Sequence, residues 1–229
     1  MQLPGTRIHF HEFRKTLDAR AKELASQGIG VSIKKADPFM SEQEDARWDN
    51  KLLGTHTSKS YIYTVFYYNC KLFGLRGLDE HRQLEVCQVK CGISDEKAYI
   101  EFCGRTSKNF AGGVHQRNVL AKSICHYTST SGTSRSLYDV YASYISMMGN
   151  GPFYRQPLPG PEPRFGVQPM KVNKLGTMVK TMCAEAGFFR NFTNHSGKRT
   201  CATTLFHSGH TRDDQNNNFL KLVELWNHK

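Results

Sequence analysis

Phe13, Leu17, Ala21 and Leu24 fall on one stripe at helical spacing. Phe10 to Ser26 therefore reads as a helix, with Gly28 and Gly30 as its stop. A basic connection, Ile33 to Met40, contains Asp37-Pro38 and leads to Ser41-Glu-Gln-Glu44, the pattern of a capping box. A second helix carrying Trp48 and Leu52 is expected to begin there. Tyr61 to Phe73 is the most apolar stretch of the chain, broken by Gly74-Leu-Arg-Gly77. A further helix is expected from Leu78 towards Val86. Val86 to Lys90 and Ala98 to Cys103 then read as two strands around a polar Ser94-Asp-Glu96 turn, and Thr106 to Gln116 as loop.

In the second half, Leu137, Val140, Tyr141, Tyr144, Ile145 and Met148 share a helix face. Gly149 to Gly166 holds five of the eight prolines and is expected to be an ordered loop, because a continuous helix or strand does not cross such a segment. Asn173 is expected to cap a helix through Leu175, Met178, Val179 and Met182 that stops at Gly187. Thr193 or Asn194 is expected to cap the next, His195 to Phe206, before Ser208-Gly209. A last amphipathic stretch carries Phe219, Leu222, Val223 and Trp226. There is no internal repeat. The sum is a mainly α chain with a small antiparallel β-sheet (α+β): a leader helix over 1–35 and a core over 36–229 that diverges or is truncated after about 206.

Composition narrows the class. A chain of 229 residues, 38% hydrophobic, can bury a sizeable core without disulfide or metal staples. No apolar run approaches the ~18 residues of a membrane span. Met1 to Arg7 lacks the apolar stretch of a signal peptide, so a cytosolic or nuclear protein is expected and no membrane partner. Seven cysteines, an odd number without repeated CxxC spacing, fit reduced thiols. Cys87-x3-Cys91 and His207-x2-His210 are each half of a metal site without a second half; neither a metal nor a cofactor is expected. The net charge is +11, and residues 101–190 hold 11 basic against 4 acidic side chains. A concentrated basic surface favours a polyanion, most often nucleic acid, because neutralising phosphates releases counterions.

Three places could carry chemistry. His195 and Lys198 in His195-Ser-Gly-Lys198 are spaced i and i+3 on a freshly capped helix, so they point the same way near backbone N–H groups that attract an anion. Arg199 lies about 100° around the helix and needs a different partner. From this motif alone a solvated basic first turn is the more ordinary reading. The second place is Phe73-Gly-Leu-Arg76-Gly-Leu-Asp-Glu80-His81, where an arginine between two glycines follows an apolar stretch. Arg76 would be desolvated unless Glu80 or a ligand phosphate paired it, and both remain open. The third is Lys108, just after the second strand.

The order Gly-Leu-Arg, a lysine after a short hairpin, then a histidine-led HxxR-like turn resembles the tyrosine recombinase catalytic domain, and most of all its Crypton-derived branch, found in Crypton transposons and in domesticated nuclear proteins of the zinc-finger MYM-type and glutamine-rich kinds. The matching stretches are Phe13 to Gly30, Pro38 to Gly54, Phe73 to Leu84, Gly151 to Gly160 and Asn173 to Phe206. The resemblance implies an integrase-like core in which Arg76 is the first catalytic arginine, Lys108 the hairpin lysine that protonates the leaving 5′ oxygen, and His195 the histidine of the HxxR box, with Lys198 in the place of the second arginine. It also implies double-stranded DNA as partner, contacted by Arg105, Lys108, Arg117, Lys122 and Arg199, a nuclear location, and homo-oligomers or chromatin-associated proteins as further partners.

Two departures stand out. Lysine is a compact charge where arginine offers a planar bidentate fork, so Lys198 is not a neutral replacement. The family pattern continues with a Gly-His box and an Arg-x2-Tyr segment bearing the nucleophile, whereas the last tyrosine here is Tyr154. The expectation is a domain related to DNA integration and recombination that cannot cleave DNA alone. The alternative is a domesticated, non-catalytic nuclear scaffold.

Overall fold

The computed structural model describes residues 6–30, 36–75, 77–104, 123–128 and 135–207. The chain divides into two compact units, one ending at Lys35 and one beginning at Ala36.

The first unit is α1 (Thr6–Ser26) followed by a turn in which Gly28 and Gly30 both take φ +76°. That left-handed conformation is open to glycine at no steric cost, so the helix stops there. Phe13 and Leu17 of the apolar stripe are 62% and 60% exposed, and Phe10 at the expected helix start is 67% exposed. A single helix and a turn contain no second apolar surface within their own unit.

The second unit is built around α3 (Ser58–Leu72), which is buried on every side except at Lys59. A helix apolar all round can only be a central one. Thr57 caps it, its side chain accepting from the Ser60 N–H at 3.0 Å. Around α3 stand α2 (Ser41–Asp49), α4 (Gly77–Arg82), α5 (Leu137–Met148), α6 (Val172–Glu185) and α7 (His195–His207). A three-stranded antiparallel sheet, β1 (Val89–Ser94), β2 (Lys97–Cys103) and β3 (Ser123–Thr128), packs beside α5, with Val89 opposite Phe102 and Ile100 opposite His126. Phe66, Phe73, Tyr141 and Phe153 are fully buried in the shared core, each contributing about 1.5–3 kcal/mol by leaving water. The described residues are thus mainly helical with small antiparallel sheets, the expected α+β class.

Several elements differ from expectation in detail. The α2 box is shifted one residue: Met40 is the N-cap, and its N–H donates to Gln43 Oε1 at 3.2 Å. This releases Glu44 to face the core. Val86 to Gln88 is a 3₁₀ turn, and β1 begins only at Val89. The turn before β2 uses Asp95 and Glu96 at φ 49° and 64°, the primed geometry whose twist suits a hairpin.

Gly149 to Gly166 is not loop throughout. Arg155–Leu158 (β4) and Arg164–Pro169 (β5) form a second antiparallel sheet of two strands. Among the described residues neither strand pairs with a third, so both are edge strands, where proline is tolerated. The α6 N-cap is Lys171 rather than Asn173, which lies inside the helix. The loop at 106–116 and the stretch carrying Phe219 to Trp226 lie outside the described residues.

Candidate functional site

The His195 turn is set by the chain just before it. Thr193 Oγ1 accepts from the His195 N–H at 3.2 Å, and the Thr193 N–H donates back to Ser196 Oγ at 3.0 Å. Thr193 is therefore the capping residue of α7. Asn194 does another job: its Nδ2 donates to the Leu175 carbonyl at 3.0 Å, tying α7 to α6. Gly197 fixes the depth. A β-carbon there would lie 2.5 Å from Cys70 Cβ and 3.0 Å from the Cys70 carbonyl oxygen, so only glycine lets α7 lie this close to α3. His195 itself is exposed at the helix start. Lys198 belongs to α7, and its side chain lies outside the described part. Arg199 has found the separate partner its position demands, donating to the Ala36 carbonyl at 2.6 Å.

Arg76 lies outside the described residues, but the chain on both sides of it is described. Leu75 is buried, and its N–H donates to the Asn69 carbonyl at 3.2 Å, closing the end of α3. Beyond, α4 brings His81 into the core. Its ring stacks on Phe66 with centroids 4.2 Å apart, Nε2 lies 3.4 Å from Cys70 Sγ, and Nδ1 lies 3.1 Å from Tyr154 Oη. Asn69 Nδ2 donates to that same hydroxyl at 2.6 Å, and Tyr141 donates to Asn69 Oδ1 at 2.8 Å.

Nδ2 can only donate, so the Tyr154 proton is left for Nδ1, and the imidazole carries its own proton on Nε2. Burial pushes His81 down to about 3, against a smaller opposing hydrogen bond with the Leu75 backbone. Burial likewise pushes the Cys70 thiol and the Tyr154 hydroxyl upwards. This is a buried polar network whose imidazole, thiol and phenol are all held in their neutral forms. Glu80, the other candidate partner for Arg76, stands exposed on α4.

Arg105, Lys108, Arg117 and Lys122 lie outside the described residues. They fall between β2 and β3, whose register sets Cys103 opposite Ser123, so that segment leaves and rejoins the sheet at one end.

A feature that the sequence reading missed lies between α4, the β4–β5 hairpin and the start of α6. An open cleft of about 740 Å³ is lined by Arg82, Lys171 and Lys174, by the amides of Gln156, Gln168 and Asn173, and by Pro169. Among the described residues no carboxylate lines it. Among the described residues no side-chain hydrogen bond or ion pair engages its three cations. Elsewhere on the surface Lys59 pairs with Glu185, and Arg135 with Asp45 and Asp49. The only signal for the cleft in the sequence is Lys171-Val-Asn-Lys174 just before a helical stripe. Among the described residues there is no group of three His, Cys, Asp or Glu side chains fit to hold a metal, and no helix long and apolar enough to cross a membrane.

Residues 38–184 match a family described as "Domain of unknown function (DUF3504)". Zinc finger MYM-type protein 2, from Mus musculus and from Homo sapiens, is 32% identical over 81 residues, covering 35% of this chain. The matched stretch spans 5% of the length of these curated relatives. Among solved structures, an integrase from mycobacterium phage Brujita matches with a TM-score of 0.40 at 13% identity, over 84% of this chain and 51% of that one.

Proposed function

The chain belongs to the DUF3504 family, and we propose that it binds double-stranded DNA as a tyrosine-recombinase-like domain of Crypton-derived ancestry that has no nucleophile of its own. The observation that carries this reading is the cleft at Arg82, Lys171 and Lys174. Three cations of like sign repel one another across a shared space. Without carboxylates to relieve them, such an arrangement is favourable when a polyanion enters. Lysine and arginine grip phosphate oxygens by charge-assisted bonds, and amides such as Gln156 add neutral donors to the same backbone.

Other features support the phosphate grip itself. Gly197 packs α7 onto α3 at Cys70, and His81 packs α4 onto the same residue. The His195 turn and the turn at Leu75 thus both approach the last turns of α3. In this reading Arg76 supplies a bidentate fork, Lys198 a point charge and His195 a donor to one phosphodiester, with Lys108 placed to protonate a leaving oxygen. Tyr154 cannot attack, because it is buried and both of its hydrogen-bonding directions are taken. Strand cleavage would need a tyrosine from another segment or chain. Nuclear location and chromatin-associated partners belong to the same reading, supported by the 32% identity to a zinc finger MYM-type protein.

Titration of a fluorescent duplex at several salt concentrations tests this. The three cleft cations alone should give a slope of about −2.7 in log affinity against log salt, at about 0.9 per phosphate. A nicked suicide duplex should trap no covalent adduct above background. Salt-insensitive binding, or none, would turn the reading towards a protein-docking scaffold.

A further inference from the structure

The loop between α6 and α7, Gly187-Phe-Phe-Arg-Asn-Phe192, carries three phenylalanines with different fates. Phe192 is buried and Phe188 packs partly buried against the core. Phe189 is 86% exposed, more than any other large apolar side chain among the described residues. The loop that bears it is tied at both ends. Gly187 turns the chain at φ +78°, and the Phe188 N–H donates to the Cys183 carbonyl at 2.8 Å. Further on, the Asp37 N–H donates to the Asn191 carbonyl and the Asn191 N–H donates back to Asp37 Oδ2, each at 3.0 Å.

The buried Arg47 adds a third tie. Its guanidinium lies 5.3 Å from the ring centroid of Phe188 and 6.0 Å from that of Phe192. It donates to the Gln43 carbonyl and to Cys183 Sγ, and among the described residues no carboxylate pairs with it. A cation buried in this way depends on the ring faces around it, so Phe188 and Phe192 stay turned inward. With both of them anchored, the loop presents Phe189 to the outside. The surroundings of that ring are basic. Residues 186–207 hold Arg190, Lys198 and Arg199 and no Asp or Glu. Arg190 is exposed and makes no side-chain hydrogen bond or ion pair among the described residues. An apolar protein pocket would leave that neighbouring cation unpaired, whereas nucleic acid offers flat apolar bases beside phosphates.

We propose that Phe189 is an apolar wedge that enters a base step of duplex DNA, with Arg190 on the flanking phosphate. The inference rests on the reading of the chain as a DNA-binding domain and adds to it a contact with the bases. Such a wedge parts one step of the stack and kinks the duplex, which a ring on a loose loop does poorly. The anchored neighbours supply the stiffness.

The test uses the full chain with Phe189→Ala, Phe189→Trp and Arg190→Gln. Both positions are exposed, so each variant should keep the wild-type urea midpoint. In a duplex titration Phe189→Ala should weaken binding about tenfold with the salt slope unaltered, and Phe189→Trp should stay within about twofold of wild type. Arg190→Gln should lower the slope by about 0.9. Ligation of a nicked plasmid in the presence of protein reads insertion itself. At equal occupancy the wild type and Phe189→Trp should shift the topoisomer distribution, because a parted step is untwisted, and Phe189→Ala should not. Unaltered affinity in Phe189→Ala, or a distribution that the wild type does not shift or that Phe189→Ala shifts equally, would overturn the wedge and leave duplex binding standing. An unaltered slope in Arg190→Gln would remove Arg190 from the DNA backbone. No duplex binding by the wild-type chain would overturn the wedge and the DNA-binding reading together.

Discussion

Gly197→Ala sets two effects of opposite sign against each other, and the geometry decides between them. Glycine in a helix costs up to about 1 kcal/mol relative to alanine, so propensity alone expects stabilisation. The new methyl, however, would stand 2.5 Å from Cys70 Cβ, 2.8 Å from its carbonyl carbon and 3.0 Å from its carbonyl oxygen. These are atoms of a buried helix, not the end of a side chain that can turn away. Overpacking of this kind costs about 1–3 kcal/mol, and here it lies at the upper end. The net should be about 2 kcal/mol of destabilisation, a fall of about 4–8 °C in melting temperature for a chain of this size. Urea unfolding followed by circular dichroism measures it. Adding Cys70→Ala should not rescue the variant, because alanine keeps all three clashing atoms. A midpoint at or above wild type would refute the close approach of α7 to α3, and with it the setting of the His195 turn.

Further outcomes follow from other contacts. Glu44→Ala should cost about 3 kcal/mol, because the carboxylate accepts from Tyr67 at 2.9 Å and Tyr68 at 2.6 Å and pairs with Lys71; the urea midpoint checks it. Burial holds His81 at about 3 and His126 at about 4, against 6.5 for an ordinary imidazole. The unfolded chain therefore takes up protons below about 6.5 that the folded chain refuses, so stability is full above that value and is lost as pH falls towards 4. Between about pH 7 and pH 5 each histidine should contribute about 2 kcal/mol of this loss, and His126→Phe should flatten the profile by its share. In duplex binding, Arg76→Ala should cost about tenfold more than Lys122→Ala, since a bidentate ligand in a shaped site loses more than one cation among many. Similar losses in an anisotropy titration would count against an assembled grip. Arg82→Gln, Lys171→Gln and Lys174→Gln together should reduce the salt slope by about 2.7, and an unaltered slope would remove the cleft from the interface.

The apolar stripes of α5 and α6 were legible from spacing alone, because each helix buries one face against the core and the residues repeat accordingly. The caps were legible only to within a residue. Ser41 and Asn173 are good capping types, yet backbone geometry put the caps at Met40 and Lys171, and α6 gains no side-chain cap bond at all. The β4–β5 hairpin was hidden by its prolines, which signal loop wherever the chain must donate on both sides but not on a two-stranded ribbon. Arg47 shows the opposite failure. In Ser-Glu-Gln-Glu-Asp-Ala-Arg it reads as solvated, but it is fully buried, its guanidinium 5.0 Å from the Phe39 ring centroid and 5.3 Å from those of Tyr67 and Phe188. Its aromatic partners come from three separate places in the chain, which no local pattern records. His195-x2-Lys198 and Gly74-Leu-Arg76 stand out in the sequence because short helix starts and glycine turns leave local marks. Of these, the described residues place the exposed His195 at the start of α7, while Arg76 and the Lys198 side chain lie outside them. The cleft was not legible, since Arg82 is distant in sequence from Lys171 and Lys174 and meets them only through the fold.

The most direct measurement is a crystal structure of the chain bound to a short DNA duplex. The guanidinium of Arg76, the ammonium groups of Lys108 and Lys198 and the imidazole of His195 should surround one phosphodiester, with the neighbouring strand crossing the Arg82 cleft. Side chains directed to separate phosphates or separate faces, with the cleft empty of DNA, would contradict a shared phosphate grip.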